Sequence, residues 1–145
     1  MTAQTPPGDT EQSLYEQFGG HDFFVALVAD FYSTVAIDPV LRPLYPEEDL
    51  GPAELRLRMF FEQYWGGPST YSEQRGHPRL RLRHGPFAID EAARDHWLAH
   101  MRTALDKREL DARLDDEMWR YLVMAAHAMV NVHEGLRPDK PVADI

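Results

Sequence analysis

The stretch HPRLRLRHGPF, residues 77–87, carries His77 and His84 in a chain without cysteine. Without thiolates, metal chemistry falls to imidazole and carboxylate ligands. Pro78 suits a first helical turn and Gly85-Pro86 a stop, so residues 78–84 are predicted as a helix of about two turns. On that helix Leu80 and His84 are four apart and share a face. His84 could then give one ring nitrogen to a metal while its other N–H bonds the Leu80 carbonyl one turn earlier. A packed or capping histidine has the same surroundings, and spacing alone leaves both readings open; His77, just before Pro78, suits capping of the loop. One histidine cannot hold zinc, but it is sufficient protein ligation for a haem iron, because the macrocycle supplies four further ligands.

Tyr32, Tyr45 and Trp97 each place a polar hydrogen on an otherwise apolar or boundary segment. Each could pack as core and bond a backbone carbonyl. Converging on one point, they would instead form a preorganised polar cage for a small oxygen species in a dry pocket. HWLAH sets His96 and His100 four apart, a spacing that can share a metal, but no acidic third ligand follows in helical register. Both are expected at the edge of an apolar stripe rather than at a metal. His127 in AAHAMVN reads as helix packing, and PEED at 46–49 as a solvated acidic run.

The elements that must position these residues are helical. SLYEQFGG forms a short helix with Ser13 as N-cap, Glu16 as capping-box partner and Gly19-Gly20 as its end. Phe24, Leu27, Phe31 and Val35 repeat at helical spacing until Asp38-Pro39 stops the run. A third helix starts near Pro52, carries Leu57, Phe60, Phe61 and Tyr64, and stops at Gly66-Gly67-Pro68; a loop then runs to about Gly76. Asp90 caps a fourth helix whose face is Ala93, Trp97, Met101 and Ala104. Asp115 and Asp116 open a fifth, with Met118, Leu122, Ala125 and Met129 inward. No strand pattern is visible, so the class is all-α, with one domain at 12–134 between polar tails at 1–11 and 135–145.

The 145 residues are long enough for one core, and 43% hydrophobic with 27% charged residues is an ordinary globular composition. A net charge of -9 argues against nucleic acid or anionic lipid as a partner, although Arg75, Arg79, Arg81 and Arg83 leave one local positive patch. No apolar run approaches the ~20 residues of a membrane span, and the N-terminus lacks a secretory pattern, so a cytoplasmic location is expected.

Five stretches together, LYEQFGG, ADFYSTVAIDPVLRPLYPE, LRLRMFFEQYWGGPSTYSEQRGHPRLRLRHGPF, ARDHWLAHM and YLVMAAHAMVN, resemble the group II truncated haemoglobins, the bacterial HbO type, over about residues 13–133. The resemblance implies a truncated globin fold, a 2-on-2 helical sandwich around haem b, with an extended loop largely replacing the helix before the proximal ligand. It places His84 as that ligand and Tyr32, Tyr45 and Trp97 on the distal side. Ala53 leaves no histidine over the iron, and Leu57 closes that side. Phe60, Phe61, Leu82, Phe87 and Met101 become further pocket candidates, with Arg83, Arg79 or Arg81 near the propionates.

Such a site implies binding of O2, CO, NO and other small ligands, with slow release. A hydrogen bond to a charged group contributes about 1.5–3 kcal/mol, so two donors would slow dissociation by about two to four orders of magnitude. That suits redox, nitrosative or oxidative stress chemistry better than oxygen transport. Peroxidase or NO dioxygenase activity is the alternative, with peroxide or NO as substrate and a reductase as partner. Monomer and homodimer are both compatible with the sequence.

Overall fold

Ser13 opens the first helix, α1 (Leu14–Phe18), by accepting a 3.2 Å hydrogen bond from the Glu16 N–H. The structure is a computed structural model and describes residues 12–75 and 89–130. The predicted helix at 78–84 and both predicted tails lie outside the described residues. Gly19, at φ +130°, ends α1 and turns directly into α2 (Gly20–Val35). A side chain there would be strained, which is why glycine stands at this junction.

Phe24, Leu27, Val28, Phe31 and Val35 on α2 are fully buried and form the centre of the core. Each such side chain contributes about 1.5–3 kcal/mol by leaving water. Helix α2 packs against α3 (Gly51–Tyr64) and α5 (Glu91–Asp106), and α5 packs against α6 (Ala112–Met129). Met101 and Leu105 from α5 and Met118 and Leu122 from α6 complete the buried centre. Between α2 and α3 a single 3-10 turn, Arg42–Leu44, carries the chain to Tyr45.

Helix α1 is held onto this body by aromatic rings and one backbone bond. Tyr15 stacks on Phe24 at 5.6 Å, Phe18 meets Trp65 edge-on at 5.1 Å, and the Tyr15 N–H donates to the Trp65 carbonyl at 2.9 Å. The approach is close enough that a Cβ on Gly67 would stand 2.6 Å from the Tyr15 ring and 2.8 Å from the Glu62 carbonyl oxygen. The second glycine of YWGGP is therefore demanded by packing.

Two expectations are corrected. The stretch predicted as a loop to Gly76 contains a short helix, α4 (Thr70–Arg75). Gln63 holds it from the preceding helix, accepting from the Ser72 N–H at 2.9 Å and donating to Ser72 Oγ at 2.8 Å, while buried Tyr71 packs edge-on against Phe60. Helix α6 opens at Asp111, not at Asp115 or Asp116: the Asp111 carboxylate accepts from the Leu114 N–H at 2.9 Å, which brings Leu114 inward. Asp90, as predicted, caps α5 through the Ala93 N–H at 2.8 Å.

Candidate functional site

Between α2, α3, α5 and α6 the packing leaves a cavity of about 480 Å³. Helix α3 lines it with Ala53, Leu57, Phe60 and Phe61, whose i, i+4 and i+7/i+8 spacing presents one face. Tyr32 reaches it from the last turns of α2, Tyr45 from the end of the 3-10 turn, and Trp97 from the middle of α5. The three side chains with polar hydrogens thus meet on one apolar cavity. Phe31 holds them in place: its ring lies 5.0 Å from Tyr32 and 5.3 Å from Trp97, edge-on to both, and Tyr32 in turn stands edge-on to Tyr45 at 5.6 Å.

The two phenols share a hydrogen bond. Burial pushes both above their ordinary 10.0, and Tyr32 furthest, since the charge and the bond of Tyr45 act in the same direction. For Tyr45 the shared bond works the other way and partly offsets burial. The bond between them raises Tyr32 and lowers Tyr45, the signs expected when Tyr32 O–H donates to the Tyr45 oxygen. The Tyr45 proton is left to point elsewhere.

Of the residues singled out from sequence, Tyr32, Tyr45, Ala53, Leu57, Phe60, Phe61 and Trp97 line this one cavity. Met101 does not: one helical turn beyond Trp97, it is fully buried in the core behind the cavity wall. His84, Leu82, Arg83 and Phe87, with Arg79 and Arg81, lie outside the described residues. The lining also includes Arg56, Arg94, Tyr71, Ile89 and Tyr121, which carry no distinguishing pattern in the sequence. The available signal was the small residues Ala93, Ala125 and Ala126, which open space on the inner faces of α5 and α6.

A cavity of this volume lies within the ~300–1,000 Å³ range of cofactor sites. Its lining fits a haem: mostly apolar walls suit a flat macrocycle, and Arg56 and Arg94 can meet carboxylates at its edge. At present Arg56 pairs with Glu47 at 3.3 Å and Arg94 with Asp95 at 2.9 Å. Partly exposed pairs of this kind contribute only ~0–1 kcal/mol and are readily exchanged.

The outer side of the same seam is ionic. His96 Nδ1 and His100 Nε2 both reach Asp38 Oδ2, at 2.9 and 2.5 Å. The acidic partner that the α5 sequence did not offer comes from the turn after α2. Burial opposes ionisation of Asp38, but hydrogen bonds from the two imidazoles and from the Val40 and Leu41 N–H groups outweigh it and hold the carboxyl well below the usual carboxylate range. His127 is exposed on α6 with Nδ1 3.1 Å from the Val123 carbonyl oxygen, rather than packed between helices.

Among the described residues, no helix is long and apolar enough to cross a membrane. A sequence profile described as bacterial-like globin matches residues 13–131. The chain is 37% identical over 127 residues to the group 2 truncated hemoglobin YjbI of Bacillus subtilis, covering 88% of this chain and 95% of that protein. It superposes on a thermostable hemoglobin from the actinobacterium Thermobifida fusca with a TM-score of 0.82 and 61% identity, over 83% of this chain and 98% of the other. With a truncated oxygen-avid haemoglobin from Bacillus subtilis the TM-score is 0.78 at 38% identity, over 83% and 100% of the two chains. The helices, the cavity and these likenesses agree: the chain belongs to the bacterial-like globin family, as an all-helical two-on-two truncated haemoglobin of group II, a family that binds small diatomic ligands such as O2 at haem.

Proposed function

We infer that the protein binds O2 and related diatomic ligands at haem b and releases them slowly, in the service of redox or stress chemistry rather than transport. The observation that carries this reading is the convergence of Tyr32, Tyr45 and Trp97 on one apolar cavity. The likeness to an oxygen-avid haemoglobin supports it. In this proposal His84 would hold the haem iron, Ala53 and Leu57 would line the space for the diatomic ligand, and Arg56 and Arg94 would join Arg83 as candidates to meet the propionates. Haem, when bound, supplies a redox-active iron at which a diatomic ligand can dock.

The chain supplies the surroundings. The apolar residues of α3 exclude water from the ligand space, so each remaining dipole acts in a low dielectric and is stronger for it. Tyr32 fixes the Tyr45 oxygen from behind, which aims the free Tyr45 O–H at the cavity. The Trp97 indole N–H, held against Phe31, is the second donor to a ligand that gains negative charge. Neither donor has to reorganise when the ligand arrives.

Stopped-flow measurement of O2 release from wild type and Trp97→Phe tests the cage. One hydrogen bond to a charged ligand contributes about 1.5–3 kcal/mol, so the variant should release O2 about 10- to 100-fold faster. An unchanged rate would remove Trp97 from the proposal. His84→Ala should lose haem or shift the Soret band, and an unaltered spectrum would displace His84 as the ligand. Peroxide and NO turnover in the same Trp97 pair, compared with free haem, decides whether binding extends to catalysis.

A further inference from the structure

We propose that Asp38, His96 and His100 form a second metal site, separate from the haem cavity, which takes one divalent transition ion of the zinc class. Each of the three offers one ligand atom, and all three atoms lie within 4.8 Å of one another. Two imidazole nitrogens and one carboxylate oxygen form a donor set for Zn2+ and its neighbours, whereas Ca2+ and Mg2+ prefer oxygen alone.

The arrangement has the parts of a built site. His96 and His100 stand one helical turn apart on α5, so the helix fixes their separation before any ion arrives. Asp38 is oriented from behind: its Oδ1 accepts from the Val40 N–H at 2.7 Å and the Leu41 N–H at 3.2 Å, leaving Oδ2 for the imidazoles. Such outer bonds preset the direction of a ligand and tune its basicity. Among the described residues no Arg or Lys pairs with Asp38, so no fixed cation competes for the site. A shallow groove of about 460 Å³, edged by Thr34, Ile37, Pro39, Asp95 and Ala99, opens over the three side chains and gives an ion access and room for a water ligand.

The geometry requires a small adjustment. Ligand atoms around tetrahedral zinc stand about 3.3 Å apart when metal–ligand bonds are about 2.0–2.1 Å. The present contacts of 2.9 and 2.5 Å must open by less than one ångström and the two imidazole nitrogens, within 4.8 Å of each other, must settle to the same spacing; both histidines are partly solvent-exposed. Each imidazole must also turn a lone pair where it now presents N–H to Oδ2. That proton moves to the other ring nitrogen by tautomer exchange with water, so the neutral histidine binds without net loss of a proton.

The test is calorimetric titration of ZnCl2 into the chelator-treated, haem-loaded protein. Wild type should take up one equivalent, and chelator should reverse it. Removing an outer-shell partner already weakens metal binding ~10- to 100-fold, so loss of a direct ligand in His96→Gln or His100→Gln should cost at least that much. The double variant should show no specific uptake, while its Soret band and circular dichroism stay those of wild type. Zinc-edge X-ray absorption of the loaded wild type should report a light-atom shell with imidazole scattering. Absence of uptake by wild type, or equal uptake by wild type and the double variant, overturns the proposal; the first outcome leaves the trio as a hydrogen-bonded clamp, and the second sends zinc elsewhere. These readouts do not depend on the ligand kinetics of the haem cavity, so this test and that of the distal cage fail separately.

Discussion

The seam between the end of α2 and helix α5 has two faces of opposite chemistry. Inward, Tyr32, Tyr45 and Trp97 bring neutral polar hydrogens to an apolar cavity; outward, Asp38, His96 and His100 bring a carboxylate and two imidazoles to a solvent groove. Adjacent residues serve the two faces, since His96 precedes Trp97 in the chain. The inner groups are suited to a weakly charged ligand because they can donate without carrying a charge of their own. The outer ones are suited to charge because water and backbone N–H groups compensate it. One seam can therefore support both, provided that its backbone is held firmly.

Asp38 does that holding, and its removal is the largest perturbation expected on the outer face. Asp38→Ala strips partners from the buried Leu41 N–H, from the Val40 N–H and from both imidazoles. Hydrogen bonds to a charged group contribute about 1.5–3 kcal/mol each, so urea unfolding should show a loss of about 3 kcal/mol or more. The pH dependence has a defined sign. Because the folded carboxyl is held below its unfolded value of ~3.9, its contribution is complete above that value and is lost as pH falls through the folded value. Asp38→Asn should therefore flatten the acid limb of stability below about pH 4. An unaltered acid limb would mean that the outer face does not anchor the seam.

Next in size is the inner face taken alone. Tyr45→Phe should speed O2 release about 10- to 100-fold by removing a donor to the ligand, and should cost about 1–3 kcal/mol of unfolding free energy because the buried Tyr32 O–H loses its acceptor. Tyr32→Phe should act more weakly, since its proton points at Tyr45 and only orients that group. The reverse order would exchange the two phenols in the cage. His96→Gln, by contrast, should leave release within about twofold and cost about 0.5–1.5 kcal/mol of stability, the loss of one partly exposed hydrogen bond.

The inner face was far more legible in the sequence than the outer one. Tyr32, Tyr45 and Trp97 are large residues with polar hydrogens on apolar segments, and the family's motifs run through all three. Helix ends set by near neighbours, such as Ser13 with Glu16 and Asp90 with Ala93, were equally readable. What escaped was non-local. Asp38 looked like a helix stop before proline, and its histidines lie 58 and 62 residues away. Helix α4 is held by Gln63, nine residues from Ser72, so no pattern inside the six-residue segment announced it. Three aspartates compete to open α6, and the choice of Asp111 follows from burying Leu114, which only the folded core decides.

The smallest predicted effect concerns proton inventory on the inner face. An ordinary phenol near 10 begins to ionise by about pH 9, and an ionised phenolate accepts rather than donates. Burial raises both Tyr32 and Tyr45 above that ordinary value, so the donors stay protonated through mildly alkaline conditions. O2 release followed by stopped flow should be flat between about pH 7 and 9.5 in wild type. A rise in rate within that interval that disappears in Tyr45→Phe would show the Tyr45 phenol ionising early, and would place water inside a cavity whose apolar α3 wall should exclude it.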